Sequence, residues 1–125
     1  EYFSPYLLSH VNMRPDKYIR DIVKDSRGYI WSGGYYNLKC FDLETNTTRL
    51  YSGLNSITSI VEKDKDNMWI GTAIGLYLLN RNTGEYQYIE MEVGITYINT
   101  LYQADNGLVI YRDKWYGSIY LSSSR

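Results

Sequence analysis

The pattern of apolar and polar residues between positions 57 and 90 predicts four short strands separated by polar turns. The run Ile57–Glu62 is rich in β-branched residues and ends at the polar turn Asp64-Lys65-Asp66-Asn67. The remaining predicted strands are Met68–Thr72, Leu76–Asn80 and Glu85–Glu90. Nowhere in the chain do apolar residues keep helical spacing over three turns, so the pattern predicts an all-β fold.

The same pattern occurs three times along the chain. Trp31 and Trp69 lie 38 residues apart, and this offset also relates Ile19 to Ile57, Ile22 to Ile60, Val23 to Val61, Gly33 to Gly71 and Leu38 to Leu76. An offset of 41 residues relates Ile57 to Ile98, Ile60 to Leu101 and Asp64 to Asp105. Four strands in a repeat of about 40 residues are typical of a β-propeller blade.

The first strand of each repeat is apolar on both faces. Ile57 and Ile60 are three residues apart, so on a strand their side chains point to opposite sides. The other two repeats keep this spacing. A strand of this kind has to be covered on both faces, which predicts that it packs between neighbouring blades.

The repeats divide the chain into four segments. Residues 1–17 form an N-terminal segment that is a candidate outer strand of a preceding blade, and residues 18–55 and 56–95 form the first two blade repeats. Residues 96–125 form a third repeat that is incomplete and degenerate. The predicted fold is therefore a fragment of a β-propeller, with about two and a half four-stranded antiparallel blades.

Closed propellers have about four to eight blades, so the two ends of this fragment would expose apolar blade faces. Three arrangements would cover them. The rest of a longer propeller could follow or precede the chain, copies of the chain could form a homo-oligomer through the open blade edges, or the leading segment could cover an end. A chain that starts at Glu1 without Met favours a fragment or a processed protein.

Composition excludes several function classes. Thirteen Lys and Arg against fourteen Asp and Glu give a net charge of −1, so the chain has no general electrostatic attraction to nucleic acid. Cys40 and His10 are the only residues of their types, which excludes an internal disulfide and disfavours a cysteine or histidine metal site and a histidine-based triad. We expect no metal and no cofactor.

The motif around Trp31, Ile19-x-x-Ile22-x-x-Asp25-Ser26-Arg27-Gly28-Tyr29-Ile30-Trp31-Ser32-Gly33, resembles the two-component regulator propeller repeat. The second copy carries Ile57-x-x-Ile60 and Asp66-Asn67-Met68-Trp69-Ile70-Gly71-Thr72-x-x-Gly75-Leu76. The resemblance covers roughly residues 18–121. In the third copy Ile110 replaces the Trp and Arg112 replaces the following Gly.

Blades of this family build the periplasmic sensor region of bacterial hybrid histidine kinases, many of which detect products of polysaccharide breakdown. The resemblance therefore implies a non-catalytic sensor module outside the cytoplasm, as part of an inner-membrane protein. Its partners would be the rest of its own propeller and sensor chain, and its candidate ligand an oligosaccharide. The chain itself contains no kinase motif.

Two other functions stay open. A propeller enzyme of the lactonase or lyase type would need a metal in the central channel, held by polar residues on the innermost strands. Asp21 and Asn99 are the candidates there. A plain protein-interaction scaffold would instead use its open blade edge as the binding surface.

The candidate ligand site lies on one face of the disc. Because strands alternate in direction, the loop between the second and third strands and the loop entering the next blade emerge on the same face. The candidate ligand-binding residues are Tyr35, Tyr36, Asn37, Arg112, Asp113, Lys114, Trp115 and Tyr116. Aromatic rings can stack on sugars, and Arg112 or Lys114 would suit an acidic saccharide. Alternatively, they are strand-end aromatics and a solvated turn.

The remaining motifs are interpreted as structural. Asp64-Lys65-Asp66-Asn67 superficially suggests a calcium loop, but Gly75 stands at the twelfth position where such a loop needs Glu, so we predict a turn. Cys40 is expected to be a buried, inert thiol. The predicted repeat core consists of Ile19, Ile22, Trp31, Ile57, Ile60, Trp69, Ile98 and Leu101.

Overall fold

A computed structural model describes residues 19–90 and 97–105, together with the backbone of two further strands at 108–113 and 119–123. The described residues form eleven strands and no helix. The first sheet contains β1 (Ile19–Lys24), β2 (Ile30–Gly34), β3 (Leu38–Asp42) and β4 (Thr47–Tyr51). The second contains β5 (Ile57–Glu62), β6 (Asn67–Thr72), β7 (Gly75–Asn80) and β8 (Tyr86–Ile89). The third contains β9 (Ile98–Gln103), β10 (Leu108–Asp113) and β11 (Ile119–Ser123).

Each sheet is an antiparallel meander in which strands pair in chain order, so each has the topology of a propeller blade. We call the sheets blade 1, blade 2 and blade 3. The first two have four strands and the third has three. The predicted fold class is confirmed. In blade 2 the four predicted strands agree with β5 to β8 within one residue at each end.

The pairing of the first two strands is the same in all three blades. Gly33 pairs with Asp21 in blade 1, Gly71 with Ser59 in blade 2 and Arg112 with Thr100 in blade 3. A one-residue irregularity follows at the same place each time. Arg112 therefore occupies the backbone position that the other two blades give to glycine.

Two hydrophobic clusters lie between the blades. Between blades 1 and 2, Trp31, Leu38 and Cys40 pack with residues of β5, β6 and β7. Between blades 2 and 3, Trp69 and Leu76 pack with Ile98 and Leu101. The two tryptophans thus fill equivalent places in successive blade interfaces.

The described residues cover both faces of β5, whereas for β1 they leave one face open, and cover of that face stays a prediction. Ile57 and Ile60 are 1% and 2% exposed, because blade 1 and blade 3 cover the two faces of β5. Ile22, the equivalent of Ile60, is 65% exposed. Its face of blade 1 has no neighbouring blade among the described residues, so the apolar side chain meets solvent.

Glycine sets the distance between neighbouring blades. A Cβ atom on Gly33 would lie 2.6 Å from Cγ2 of Ile57, and one on Gly71 would lie 2.8 Å from Cγ2 of Ile98. Both distances are well below van der Waals contact. The first isoleucine of each following blade therefore packs directly onto a glycine of the blade before it.

A second repeated contact ties the innermost strands together. The Ile60 amide of β5 donates a hydrogen bond to the Asp21 carboxylate of β1 (2.8 Å), and the Leu101 amide of β9 donates to the Ser59 hydroxyl of β5 (3.2 Å). Asp21 and Ser59 are equivalent residues of the repeat, as are Ile60 and Leu101. The Asp21 and Ser59 side chains thus satisfy backbone amides on the edge strands β5 and β9.

Candidate functional site

Three loops join into one surface at the end of the blades where β1, β5 and β9 begin. The Ser56 amide, just before β5, donates to the Tyr35 carbonyl in the β2–β3 loop (3.1 Å). The Ala73 amide, in the β6–β7 loop, donates to the Ser56 carbonyl (3.0 Å). Ser56 has a positive φ of 53°, which turns the chain between these two bonds. The loops therefore lie on one face, as the strand directions predict.

An open cleft of about 700 Å³ lies on this face. It crosses from blade 1 over the start of β5 to the segment that enters blade 3. Its lining residues are Arg20, Gly34, Tyr35, Tyr36, Ser56, Ile57, Thr58, Ala73 and Tyr97. The volume lies within the range of small-molecule sites.

Two tyrosines form the aromatic wall of the cleft. Tyr35 and Tyr36 are 60% and 52% exposed. Their rings meet edge to face with centroids 5.0 Å apart. Exposed phenol rings beside hydroxyl groups can stack on the apolar face of a sugar ring while the hydroxyls bond to it.

Arg20 places a positive charge in the lining of the cleft. Arg20 of β1 is exposed, and its Nη1 donates to the Tyr97 hydroxyl at 3.4 Å. Thr58 of β5 also lines the cleft, and its hydroxyl donates a hydrogen bond to the Ile98 carbonyl. Residues from three blades therefore contribute to this lining.

The structure brings part of the predicted site together. Tyr35 and Tyr36 line the cleft, whereas Asn37 is half-buried and is not among the lining residues. The backbone of Arg112 and Asp113 ends β10 opposite Thr100 and Ile98, beside the Tyr97 segment. Their side chains, and Lys114, Trp115 and Tyr116, lie outside the described residues.

Sequence reasoning missed Arg20, Thr58 and Tyr97. A signal for two of them was available, because Arg20, Thr58 and Asn99 occupy the same position of the three repeats, one residue after the first isoleucine. All three residues at this position are polar.

A buried ion-pair network lies at the opposite end of the blades, and sequence reasoning missed it as well. Arg81, which follows β7, donates from Nη1 to Asp25 of blade 1 (2.8 Å) and from Nη2 to Glu62 of β5 (2.9 Å). Asp25 and Arg81 are only 4% and 3% exposed. The Trp31 indole N–H also donates to Asp25 (2.8 Å). This network therefore joins blades 1 and 2 and fixes the tryptophan ring.

Glu62 reaches from blade 2 into the β1–β2 turn of blade 1. It accepts hydrogen bonds from the Ser26 amide (2.8 Å) and the Ser26 hydroxyl. Desolvation opposes ionisation of Glu62, but the bonds from Ser26 and Arg81 outweigh it and lower the pKa of this carboxyl. The ionised Glu62 side chain of blade 2 therefore links that blade to the β1–β2 turn of blade 1.

The Asp64 side chain stabilises the backbone of the acidic turn at 64–67. The Asp64 carboxylate accepts from the amides of Asp66 and Asn67, both at 2.9 Å. Desolvation opposes ionisation of Asp64, but hydrogen bonds from the Asp66 amide, the Asn67 side chain and Lys63 outweigh it and lower the pKa of this carboxyl. In the parts of the chain that the structure describes, no three His, Cys, Asp or Glu side chains are grouped so as to hold a metal ion.

Cys40 is buried, as expected, at 8% exposure. Burial, with the nearby Asp25 charge adding to it, raises the pKa of the thiol to about 12. The thiolate is therefore scarce at neutral pH. Over residues 19–90 and 97–105 and the two further strands, the chain has no helix of the length and hydrophobicity that a membrane span requires.

Two segments of the chain match the sequence profile of the two component regulator propeller family, at residues 14–36 and 52–73. They contain the Trp31 and Trp69 motifs together with the first strands of blades 1 and 2, β1 and β5. The resemblance inferred from these motifs is confirmed by the matches to these two segments. No curated protein matches the sequence.

Solved structures share the fold. The extracellular domain of BT3049 from B. thetaiotaomicron, assigned as a hybrid two component system, superposes with a TM-score of 0.70 at 23% identity, over 90% of this chain and 16% of that one. The extracellular domain of BT4673 from the same organism gives 0.70 at 17% identity, over 88% and 15%. The chain thus spans about one sixth of the length of these domains.

Proposed function

We propose that this chain is a non-catalytic part of a sensor propeller that lies outside the cytoplasm and serves a two-component regulatory system. The propeller would bind a ligand, with an oligosaccharide as the candidate, and pass the binding signal to a histidine kinase. Two observations support this role: the two regulator propeller repeats, and the shared fold with extracellular domains of proteins assigned to such systems.

The observation that carries the proposal is the composition of the cleft. Arg20 comes from blade 1, Thr58 from blade 2 and Tyr97 from the entry into blade 3. A ligand held there contacts three blades at once. Its binding energy therefore depends on how the blades sit relative to one another, which is the property that a sensor needs in order to transmit occupancy.

The lining residues favour binding over catalysis. They include no His, Asp, Glu or Cys, so the described cleft offers no general acid–base pair and no activated nucleophile. Asp21, which the enzyme alternative would place in the channel, accepts the Ile60 amide at 2.8 Å. Its carboxylate has a structural partner between two blades.

Saturation-transfer NMR with a panel of neutral and acidic oligosaccharides tests this proposal. We expect binding by the full chain, loss of the signal in Tyr36→Ala, and no loss in Tyr88→Ala. Tyr88 is a suitable control because it is 49% exposed on β8, the outer strand of blade 2. Chromatography of the same sugars after long incubation is expected to show no cleavage. Any enzyme-dependent cleavage would overturn the non-catalytic assignment.

A further inference from the structure

The cleft has an unbalanced positive charge. Arg20 is the one lining residue among those described that is ionised at neutral pH. Asp21 follows it in sequence, but the Asp21 carboxylate bonds to the Ile60 amide of the blade interface. The described lining residues therefore present a cation together with phenol and alcohol hydroxyls, and no carboxylate.

Arg20 also differs from the other described arginines in how much of its guanidinium is used. Arg81 donates to Asp25, to Glu62 and to two backbone carbonyls, and Arg27 pairs with Asp66. Arg20 is exposed and, among the residues that the structure describes, has one long hydrogen bond of 3.4 Å to Tyr97. A guanidinium has five N–H donors in a planar fork, so most of those on Arg20 have no hydrogen-bond acceptor among the described residues.

We infer that the ligand of this cleft is an acidic saccharide whose carboxylate binds the Arg20 guanidinium. This inference rests on the proposed function, since it specifies the ligand of the same cleft. A planar fork of donors matches a carboxylate with two parallel hydrogen bonds, and such pairs are stronger than hydrogen bonds between neutral groups.

The rest of the cleft fits the remainder of such a ligand. Tyr36 offers an exposed ring in the lining of the same cleft, and Ser56 adds a polar group to that lining. A volume of about 700 Å³ accommodates a disaccharide. The charged group would select the sugar, and the aromatic wall would add binding energy that does not depend on charge.

Isothermal titration of the full chain with digalacturonate, and with the neutral disaccharide galactobiose, tests the inference. We expect digalacturonate to bind about tenfold or more tightly than galactobiose, and Arg20→Gln to remove this preference. A sulfated galactobiose separates a requirement for carboxylate from a general preference for anions. Binding of digalacturonate should also weaken as salt is raised.

Arg27→Gln is the matched control. Arg27 is an arginine of the same blade, but it lies in the β1–β2 turn at the opposite end and pairs with Asp66. Its loss should leave both affinities unchanged. Circular dichroism of both variants checks that the fold is retained, which we expect because neither side chain is buried.

The outcomes separate the inference from the proposed function. Equal affinity for the two disaccharides, unchanged in Arg20→Gln, would overturn the inference and leave the cleft as a sugar site. Tighter binding of the sulfated sugar than of digalacturonate would overturn the assignment to a carboxylate. No binding of any of the three sugars would count against the inference and the proposed function together.

Discussion

Arg81 and Asp25 form a salt bridge of 2.8 Å between blades 2 and 1, and both residues are almost completely buried. The pair lies among Trp31, Met68 and other apolar residues of the blade interface. Burying two charges is costly, and here that cost is offset by the number of hydrogen bonds. Arg81 donates hydrogen bonds to two carboxylates and two backbone carbonyls. These bonds replace the hydrogen bonds to water that its guanidinium loses on burial.

Arg81→Ala is expected to destabilise the chain by about 3–5 kcal/mol, because it leaves the Asp25 carboxylate buried without its cation. Urea unfolding followed by tryptophan fluorescence measures the loss. Arg27→Ala is the control, since the Arg27–Asp66 pair is solvent-exposed and is expected to contribute less than about 1 kcal/mol. Equal losses of unfolding free energy in the two variants would mean that water reaches the Arg81–Asp25 pair, which would contradict its burial.

Gly33→Ala is expected to cost about 1–3 kcal/mol, because the added Cβ would lie 2.6 Å from Ile57 and would force the blades apart. In an Ile57→Ala background the same substitution should cost less, because two of the three clashing atoms are gone. A double-mutant cycle in urea measures this coupling. An additive result would contradict direct packing of Ile57 on Gly33.

Trp69→Ala is expected to cost about 3–5 kcal/mol of unfolding free energy as a large truncation in a blade interface. Trp69 is 2% exposed, and its indole N–H donates to Gln103 of blade 3 (2.7 Å). Differential scanning calorimetry checks the value. A cost below about 1 kcal/mol would mean that this ring does not carry the interface between blades 2 and 3.

Acid is expected to destabilise the chain through Glu62. Its pKa is lowered in the folded state, so the unfolded chain binds this proton more readily. The stabilisation is therefore complete above the ordinary pKa of 4.5 and is lost as pH falls through the lower folded-state value. Urea unfolding at a series of pH values should show this loss, and Glu62→Gln should flatten the profile. An unchanged profile in that variant would assign the acid sensitivity to other carboxyls.

Cys40 is expected to be unreactive toward Ellman's reagent in the native chain at pH 8, because burial raises its thiol pKa to about 12. Adding urea through the unfolding transition should release the reaction, and the fully unfolded chain is the positive control. Rapid modification without urea would mean that the interface between blades 1 and 2 opens locally.

Some features were predictable from single stretches of sequence. The strands of blade 2 follow from β-branched runs and polar turns, and the three blades follow from the spacing of Trp31, Trp69 and the paired isoleucines. These signals are local or periodic. They depend on each residue's preference for a strand or a turn and on the recurrence of apolar residues at equivalent positions of the repeats.

Part of the cleft could also be anticipated. The alternating strand directions placed Tyr35 and Tyr36 on the same face as the loop that enters blade 2, and the bond from Ser56 to Tyr35 joins these loops. The polar residue at the repeat position of Arg20 was visible in the sequence, but nothing local indicated that its side chain lines this cleft.

Periodicity in this chain therefore specified how many blades form and which apolar residues lie between them. The contacts between blades were decided by packing in three dimensions. Arg20 reaches Tyr97 across 77 residues and Arg81 reaches Asp25 across 56, and in both cases the partner sits in another blade. Polar side chains at strand ends have the same local pattern whether they face water, a ligand cleft or a buried partner. The twist and close approach of the blades select among these environments, and both arise only when the sheets pack.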